Sequence, residues 1–513
     1  MIVKDIVFGD EGRQKLINGV NIIANAVGST LGARGRTALI ESDQHIGGLT
    51  VTKDGVTLAK AINLMDPAEN LAVMIMREAS EKTANSAGDG TTTSMVLAQA
   101  IIHAATDLIT PEDNVTQVLR DVQEAALKVA DELTEMSTEI TPEKLVDVAT
   151  ISANGDAEIG QIIADAYNQV GLSGVVTVEN SATAETYSEV VSGMKIDRGY
   201  TSKYFVTDHK KQEAVMDKPY ILVTDQPIGN LNDILPMLEF ILQGKKSLLI
   251  IGELEENALN SLNVNKIKSG LKVCTIIPPS FGYKRHQIMQ DIATATGAKY
   301  FSEQTGDNLL MASIDDLGRA GKVVSGRFNT IIFGAEGAGE ERVEELQEQL
   351  AVESSAIEKE FLKERIANLG GGVGVIKVGA NSDIEQKEKK DRVDDAVCAV
   401  KAALEEGILP GGGVALKDIA AKMQIKNKGA MILKVAMLAP MSKILSNAGL
   451  EMDGDILTKE GVGINVSNGA MCHMMSVGII DPTKVAKEAL KNSVSVATTL
   501  LSTETVITNV RQM

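Results

Sequence analysis

The residues best suited to chemistry lie in one glycine-rich segment, Gly88-Asp89-Gly90-Thr91-Thr92-Thr93. The stretches on either side, residues 69–87 and 94–108, are rich in helix formers, so the glycines end one helix and the threonines begin the next. A helix start offers unpaired N–H groups and a partial positive charge, which suit phosphate. The threonine hydroxyls add donors, and Asp89 supplies the oxygen ligand that Mg²⁺ prefers. Two interpretations stay open from this segment: a capped helix after a turn, or a magnesium–phosphate site.

Two earlier turns also carry charged residues. A predicted helix over 14–31 ends in Thr30-Leu31-Gly32-Ala33-Arg34-Gly35-Arg36, a glycine-rich turn with two cations. A predicted strand over 49–52 ends at Lys53-Asp54-Gly55, which is typical of a turn. Asp54 either forms this turn or acts as a second acid beside a phosphate, and the local sequence favours the turn.

Composition limits the class of protein. With 513 residues the chain is too long for one hydrophobic core, and we expect several domains. The formal net charge of −19 argues against nucleic acid or an anionic membrane as a partner. The three cysteines lack metal-binding spacing and indicate free thiols in a reducing cytoplasm. No apolar run reaches a membrane span, and the first residues match neither a signal nor a transit peptide.

The middle of the chain has a different pattern from its two ends. Residues 1–134 are mainly helical, and 142–191 are mixed. From residue 192, apolar strands at 220–224, 247–251 and 272–277 alternate with helices at 232–242, 257–269 and 285–296, which predicts a parallel sheet. No nucleotide-binding motif follows these strands. The helix over 232–242 is apolar on more than one side, so it is either a core helix or a surface for apolar ligands.

The last third returns to helix. Residues 340–368 predict a charged helical hairpin, 373–378 a strand, and 386–406 a helix with Asp394 and Asp395 near its start. Its predicted buried stripe consists of Val393, Val397, Val400 and Leu404. The remainder resembles the first 134 residues in composition, which hints that the two ends form one domain with the middle inserted.

Six motifs together resemble the group I, or GroEL-type, chaperonins in order and near-spacing. They are the turn at 30–36, Thr52-Lys-Asp-Gly-Val, Ala87-Gly-Asp-Gly-Thr-Thr-Thr, Glu388-Lys-Lys-Asp-Arg-Val-Asp-Asp-Ala, Glu405-Glu-Gly-Ile-Leu-Pro-Gly-Gly-Gly-Val-Ala-Leu and Asp481-Pro-Thr-Lys-Val. The resemblance covers nearly the whole chain. It implies a multidomain α and α/β fold: a mainly helical equatorial domain (1–134 and 406–513), a small α/β intermediate domain (135–191 and 374–405) and an apical α/β domain with a parallel-sheet core (192–373).

The resemblance also implies an activity. Members of this family form seven-membered rings, single or stacked in pairs, and fold captive chains with ATP, Mg²⁺ and K⁺. It assigns a catalytic carboxylate to Asp395 and an auxiliary one to Asp54, and Mg²⁺ to Asp89. The residues it assigns to nucleotide binding are Thr30, Leu31, Gly32, Ala33, Lys53, Asp89, Gly90, Thr91, Thr92, Thr93, Gly412, Asn465, Val466, Ser467 and Asp481. Glycines at the segment boundaries, Gly193, Gly371, Gly372 and Gly407, are candidate hinges.

The same resemblance assigns partners to the apical domain. Residues that grip unfolded client chains and a GroES-type co-chaperonin are Tyr200, Tyr204, Phe205, Leu235, Leu238, Leu259 and Val264. Several positions depart from the family pattern: Ala33 replaces a proline, Arg34 a lysine and Asn263 an apolar residue, and the sequence lacks the Gly-Gly-Met tail. These departures indicate a divergent member, with a viral protein, hence host cytoplasm, as one guess.

Two functions remain in competition. An ATP-driven folding chamber is favoured because the phosphate motifs and Asp395 are intact. A nucleotide-insensitive holdase or assembly scaffold on the same fold is the alternative. A small-molecule kinase would need an acceptor-site motif, which the sequence lacks.

Overall fold

The computed structural model describes residues 4–41, 49–171, 174–209, 211–353, 355–370, 372–452 and 454–509. The chain divides into two compact units. The first contains Met1–Asn168, Thr177–Ser188 and Ile376–Met513, and the second contains Gln169–Val176 and Glu189–Val375. The second unit is therefore inserted in sequence between parts of the first, as composition hinted.

The described residues form helices and strands whose bounds follow in chain order. The helices are α1 (Gly9–Gly28), α2 (Gly55–Ala61), α3 (Pro67–Ala87), α4 (Thr91–Leu108), α5 (Val115–Met136), α6 (Pro142–Ser152), α7 (Ala157–Val170), α8 (Leu235–Gln243), α9 (Glu256–Ser269), α10 (Gly282–Thr296), α11 (Gly339–Val352), α12 (Ala356–Gly370), α13 (Asp383–Glu406), α14 (Val414–Lys422), α15 (Lys428–Ala436), α16 (Ala439–Asn447), α17 (Gly454–Thr458) and α18 (Thr483–Leu501). The strands are β1 (Lys4–Phe8), β2 (Ala38–Glu41), β3 (Leu49–Thr52), β4 (Val175–Asn180), β5 (Tyr187–Ile196), β6 (Ala214–Asp217), β7 (Tyr220–Thr224), β8 (Ser247–Ile251), β9 (Lys272–Ile276), β10 (Tyr300–Phe301), β11 (Gly318–Ser325), β12 (Thr330–Ala335), β13 (Gly372–Val378), β14 (Ile408–Pro410), β15 (Val462–Asn465), β16 (Ala470–His473), β17 (Ile480–Pro482) and β18 (Thr505–Asn509).

The first unit is built around α4. Its apolar side chains Met95, Leu97 and Ile101 are fully buried. Helices α1, α3, α15 and α18 pack against it, α5 packs against α15 and α18, and together these helices form an aliphatic core. Such close packing needs small residues at crossings. A Cβ atom on Gly19 of α1, for example, would lie 2.2 Å from the carbonyl oxygen of Glu69. Burial of this core is the main stabilising term for the unit.

Short two-stranded sheets hold the loops of the first unit. Strand β1 pairs antiparallel with β18, β2 with β3, β14 with β17, and β15 with β16. The β14–β17 pair places Leu409 opposite Asp481. It thereby joins two loops that are far apart in sequence.

The second unit contains a twisted mixed sheet. Its strand order is β5-β12-β11-β7-β8-β9, with β10 beside β7 and β6 beside β11. Strands β10, β7, β8 and β9 are parallel, as the alternating strands and helices predict. Strands β5, β6, β11 and β12 pair antiparallel, which the sequence pattern did not indicate. Helices α8, α9 and α10 each lie between successive strands in the sequence.

Two local predictions differ from the structure. The helix predicted over 232–242 is a 3₁₀ turn, Leu231–Ile234, followed by α8, because Pro236 in the first turn of α8 cannot donate the hydrogen bond that would continue the earlier turn. In α13, Val393, Val397 and Val400 are buried as predicted, whereas Leu404 is only partly buried.

One described segment, Lys428–Asn447, is long and apolar enough to cross a membrane by length and composition alone, contrary to the expectation from the sequence. Half of it is buried inside the fold. Within it, Ile432, Leu433 and Ala436 belong to the core of the first unit. Core helices of globular proteins pass the same test, so this segment is only weak evidence for a membrane span.

Candidate functional site

The first unit contains a cavity of about 650 Å³, a size typical of ligand pockets. Every residue that the sequence analysis assigned to catalysis or nucleotide binding lines it. They are Thr30, Leu31, Gly32, Ala33, Lys53, Asp54, Asp89, Gly90, Thr91, Thr92, Thr93, Asp395, Gly412, Asn465, Val466, Ser467 and Asp481. Residues that are separated by hundreds of positions in sequence thus meet at one cavity.

The start of α4 forms one wall of this cavity. Gly88 ends α3 in the left-handed conformation (φ 74°), and Gly90 precedes α4 with φ 82°. No side chain caps α4, so the N–H groups of its first turn are left for a ligand. A Cβ atom on Gly90 would lie 2.6 Å from Cγ1 of Val485, so glycine is required by space as well as by conformation. This geometry suits a phosphate group.

Asp89 lies between the two glycines and is held by its neighbours. The backbone N–H of Gly90 donates to its Oδ1 at 2.5 Å, and the Ser152 hydroxyl donates to its Oδ2 at 3.3 Å. Burial raises the pKa of Asp89, and the negative charge of Asp54 raises it further, whereas the two hydrogen bonds act in the opposite direction. A bound cation would relieve this unfavourable charge.

Asp54 forms the turn that the local sequence favours, and it also lines the cavity. Its carboxylate accepts from the N–H groups of Val56 at 3.0 Å and Thr57 at 2.8 Å and thereby caps α2. Its charge also acts on the carboxylates of Asp89 and Asp395. The turn former is therefore also an acid on the cavity wall.

Asp395 projects from the middle of α13 toward the other acids. Burial raises the pKa of Asp395 well above its usual value, and the charges of Asp54, Asp89, Asp394 and Asp391 add to this effect. A carboxylate with a raised pKa in a cavity is a candidate general base.

One end of the cavity combines an acid, Asp481, with apolar side chains. Asp481 on β17 receives hydrogen bonds from the backbone N–H groups of Gly412 and Gly413. Burial nevertheless raises its pKa to about 7, with a further contribution from the charge of Asp89. Apolar residues complete this end: Met441, Ile444, Leu445, Ile464, Val466 and Met474. Such a mixture can hold a flat apolar ring beside a polar group.

The turn after α1 is tied to this apolar end. Thr30 donates its hydroxyl hydrogen to the carbonyl oxygen of Val27 at 2.8 Å. Arg34 donates to the carbonyl oxygen of Ser467 at 3.1 Å. The substitution noted at Arg34 therefore fixes the loop that carries Asn465, Val466 and Ser467. Ala33 is exposed on the same turn, and the structure offers no compensation for the missing proline ring.

The donor set of the cavity fits Mg²⁺ held jointly by protein and phosphate. In the described parts of the chain, no three His, Cys, Asp or Glu side chains are close enough to form a complete metal site. Mg²⁺ commonly binds through one or two carboxylates, with phosphates and water completing the shell. Asp89 at the helix start supplies such a carboxylate, and Lys53 lines the same cavity.

Several cavity residues were not found from the sequence. Ser152, Thr150 and Asn154 come from the end of α6 and the following turn, in a stretch that the sequence analysis described only as mixed. Arg392 lies one turn before Asp395 and contacts Glu388 at 3.0 Å and Asp156 at 3.5 Å. The resemblance motif around residue 388 was the signal that could have marked Arg392, because it includes this position.

Five of the seven candidate client-binding residues are at least partly exposed, and the other two are buried. Tyr204, Leu235 and Val264 are exposed, and Tyr200 and Leu259 are partly buried. Phe205 and Leu238 instead lie in the core of the second unit, where they have no surface to offer a client. Apolar periodicity could not separate the two groups, since a core residue and a client-binding residue have the same type.

Two more positions alter this surface. Asn263, which replaces an apolar residue of the family pattern, is buried, and its Oδ1 atom has no hydrogen-bond partner among the described residues. Ile267, one turn after Val264 on α9, is 67% exposed and was not predicted. It extends the exposed apolar face of α9.

Known proteins resemble this chain over nearly its whole length. The family model described as TCP-1/cpn60 chaperonin family matches residues 23–511. Among solved structures, the chain is similar to the chaperonin gp146 from bacteriophage EL 2 (Pseudomonas aeruginosa), crystallised in the presence of ATP-BeFx. Crystal form II aligns with a TM-score of 0.69 at 23% identity over 99% of both chains. Crystal form I aligns with a TM-score of 0.64 at the same identity and coverage. At this identity the structures bear on the fold.

Proposed function

The chain belongs to the TCP-1/cpn60 chaperonin family, and we propose that it is an ATPase that uses Mg²⁺-dependent hydrolysis to fold captured protein chains. The observation that carries this proposal is the single cavity in which the start of α4, Asp89 and Asp395 meet. The crystallisation of the related phage chaperonin with an ATP analogue supports ATP as the ligand.

In the proposed mechanism, the protein positions phosphate and water without forming a covalent bond to either. The free N–H groups and hydroxyls at Thr91, Thr92 and Thr93 bind phosphate oxygens. Asp395 accepts a proton from the attacking water, for which its raised pKa is suited. Asp481 and the apolar end of the cavity hold the ribose and base. A Mg²⁺ ion on Asp89 would neutralise phosphate charge, and the assignment of K⁺ rests on the family resemblance.

We propose that the intermediate segment (135–191 and 374–405) couples hydrolysis to movement, because Asp395 comes from α13 and not from the phosphate-binding loops. Of the candidate hinges, Gly407 has φ 80°. A Cβ atom on Gly193 or Gly372 would lie within 2.5 Å of a valine side chain, so close packing also explains these two glycines. Gly371 lies outside the described residues. The equatorial, intermediate and apical boundaries remain part of this proposal.

The proposed client surface consists of the exposed members of the predicted set, Tyr204, Leu235 and Val264, together with Ile267. Exposed apolar side chains of this kind bind unfolded chains without sequence specificity. We further propose a seven-membered ring, single or double, in the cytoplasm, with a GroES-type co-chaperonin as a partner.

Replacement of Asp395 tests the catalytic assignment. We expect Asp395→Ala to lower ATP turnover by about 10²-fold or more, because general-base catalysis contributes that much. Nucleotide affinity should change little. Asp394→Ala is the matched control, since Asp394 neighbours it on α13 but does not line the cavity. Equal turnover in the Asp395 variant and the wild type would refute the role.

A holdase without nucleotide dependence is the second candidate, favoured by the exposed apolar face, which needs no nucleotide to bind a client. Light scattering after size exclusion, with and without Mg-ATP, tests for a ring, and the response of a bound unfolded client to ATP distinguishes the ATPase from the holdase. A mass about seven or fourteen times 54.4 kDa supports a ring. Release of a bound unfolded client by ATP supports the ATPase cycle, and capture without release supports the holdase.

A further inference from the structure

A second cavity, of about 470 Å³, lies within the second unit and is unlike the rest of this acidic protein. Its lining includes five lysines and a single acid, Asp217. The lysines are Lys218, Lys245, Lys246, Lys266 and Lys272. Four positive charges are therefore uncompensated within the lining, in a chain whose net charge is −19. We propose that this cavity, the lysine pocket, binds a small ligand that carries several phosphate groups.

Most lysines of the lysine pocket lie where the parallel strands of the sheet begin. Lys218 precedes β7, Lys245 and Lys246 precede β8, and Lys272 begins β9. The strands β7, β8 and β9 are adjacent and parallel, so their starting residues come together. The pocket lining also includes buried apolar residues, which are Phe205, Met216, Leu271, Val273 and Cys274.

Lys266 is fixed at the pocket wall. Its ammonium group donates to the carbonyl oxygen of Phe205 at 2.7 Å and lies 5.6 Å from the centre of the Phe205 ring. An ammonium group has three hydrogens, and this carbonyl oxygen takes one of them. The other four lysines form no ion pair with any residue that the structure describes. Lys246 makes a cation–π contact, with its ammonium group 5.9 Å from the centre of the Tyr220 ring. No described carboxylate neutralises these four charges, which leaves them available to a ligand.

Helix-dipole stabilisation explains only part of this cluster. Lysines near the ends of α8 and α9 complement the partial negative charge of a helix C-terminus, which accounts for Lys245, Lys246 and Lys266. Lys218 and Lys272 stand at the starts of strands and have no such role. Lysines on an ordinary solvated surface would also not require an unusual backbone conformation.

Two of the pocket lysines do have an unusual backbone conformation. Lys218 has φ 45° and Lys245 has φ 49°, in the left-handed region that disfavours residues with a side chain. A turn with only a structural role would favour glycine or asparagine at both positions. Two lysines held in this conformation at one cavity indicate that the ammonium groups themselves are needed there.

The choice of lysine indicates phosphate as the ligand chemistry. No arginine lines the pocket, so the planar fork that suits carboxylates is missing from its lining. Lysine binds phosphate as a compact point charge. The volume admits a compact molecule and is within the range of small-ligand pockets. The nucleotide cavity of the first unit shares no residue with it.

Calorimetric titration of the full chain with inorganic tripolyphosphate tests the proposal. We expect the double variant Lys218→Gln/Lys272→Gln to bind tripolyphosphate about tenfold or more weakly, because it loses two charged contacts to the ligand. Lys203→Gln/Lys268→Gln is the matched control, since both are exposed lysines of the same unit outside the pocket lining. The control should bind like the wild type, and ATP turnover should be the same in all three proteins.

Lysine acetylation followed by mass spectrometry locates the bound ligand. Tripolyphosphate should protect Lys218, Lys245 and Lys272 from acetylation and leave Lys203 and Lys268 reactive. Equal affinities in all three proteins, or protection confined to residues of the nucleotide cavity, would overturn the proposal. Tighter binding of an oligoglutamate peptide than of tripolyphosphate, lost in the pocket variant, would overturn the assignment of phosphate.

Discussion

The ammonium group of Lys417 is fully buried and organises the loop that carries the nucleoside-binding candidates. Its Nζ atom donates to the carbonyl oxygens of Ile456 at 3.1 Å, Lys459 at 2.7 Å and Val462 at 3.2 Å. It also pairs with Asp418 at 2.5 Å, and the second Asp418 oxygen accepts from the N–H of Gly461 at 2.8 Å. One side chain thus holds the whole segment that precedes Asn465.

Lys417→Met keeps most of the apolar stem and removes the charge. It leaves the buried carboxylate of Asp418 without its cation, a change that costs about 3–5 kcal/mol in comparable pairs. Three carbonyl oxygens lose their donor as well. We therefore expect the free energy of local opening of residues 454–464 to fall by about 4 kcal/mol, which corresponds to roughly a thousandfold loss of amide protection.

Hydrogen exchange followed by mass spectrometry of the 454–464 peptide measures this loss directly. Lys422→Met is the matched control, because Lys422 lies on the same helix and reaches the same segment through an exposed ion pair with Glu460. The control should change the opening free energy by less than about 1 kcal/mol. If exchange of the peptide rises less than tenfold in Lys417→Met, the buried ammonium does not hold the segment and the reasoning fails.

Three further predictions follow from the described contacts. Gly90→Ala should weaken nucleotide binding at least tenfold because its Cβ atom would overlap a valine of α18. Gly449→Ala is the control, with a similar φ but open space around the Cβ atom, and should bind nucleotide normally. Equal nucleotide affinities of the two variants would contradict the prediction. Asp481, whose folded pKa is about 7, should destabilise the nucleotide-free protein increasingly as pH rises from about 4 to 7. Asp481→Asn should therefore raise the melting temperature at pH 8 and have little effect at pH 4.5, whereas a pH-independent difference would count against the assignment. Arg365→Met should destabilise the second unit by about 3–5 kcal/mol, since it leaves Asp291 buried with fewer partners; unchanged proteolysis of that unit would refute this.

The sequence predicted that the residues at the start of α4 would stand together because they are local. The glycine break, the threonines that begin α4 and the acid between them occupy one short segment, and the cavity gathers them as expected. Strands β7 and β8 were also predicted with their observed bounds, because a continuous apolar run between turns leaves little freedom.

Other features depend on tertiary contacts that no local pattern shows. Adjacent charged residues such as Lys417 and Asp418 usually lie on a surface, yet both are buried here because distant carbonyl groups accept from the lysine. Phe205 and Leu238 were expected to face a client but lie in the core, since both environments select apolar residues. The antiparallel pairing of β11 with β6 and of β12 with β5 was missed because these partners are far apart in sequence.

The packing of α18 against α3, α4 and α5 has a consequence for synthesis on the ribosome. The glycine-rich turn before α4 emerges early, whereas Asp481 and α18 follow about 390 residues later, which takes roughly 20–80 s at usual translation rates. Throughout this interval the apolar face of α4 lacks one of its main covering helices, and a nascent chain cannot assemble the nucleotide cavity. The protein is proposed to bind incompletely folded chains, and during its own synthesis it is such a chain. Ribosome-bound intermediates should therefore be aggregation-prone until α18 docks.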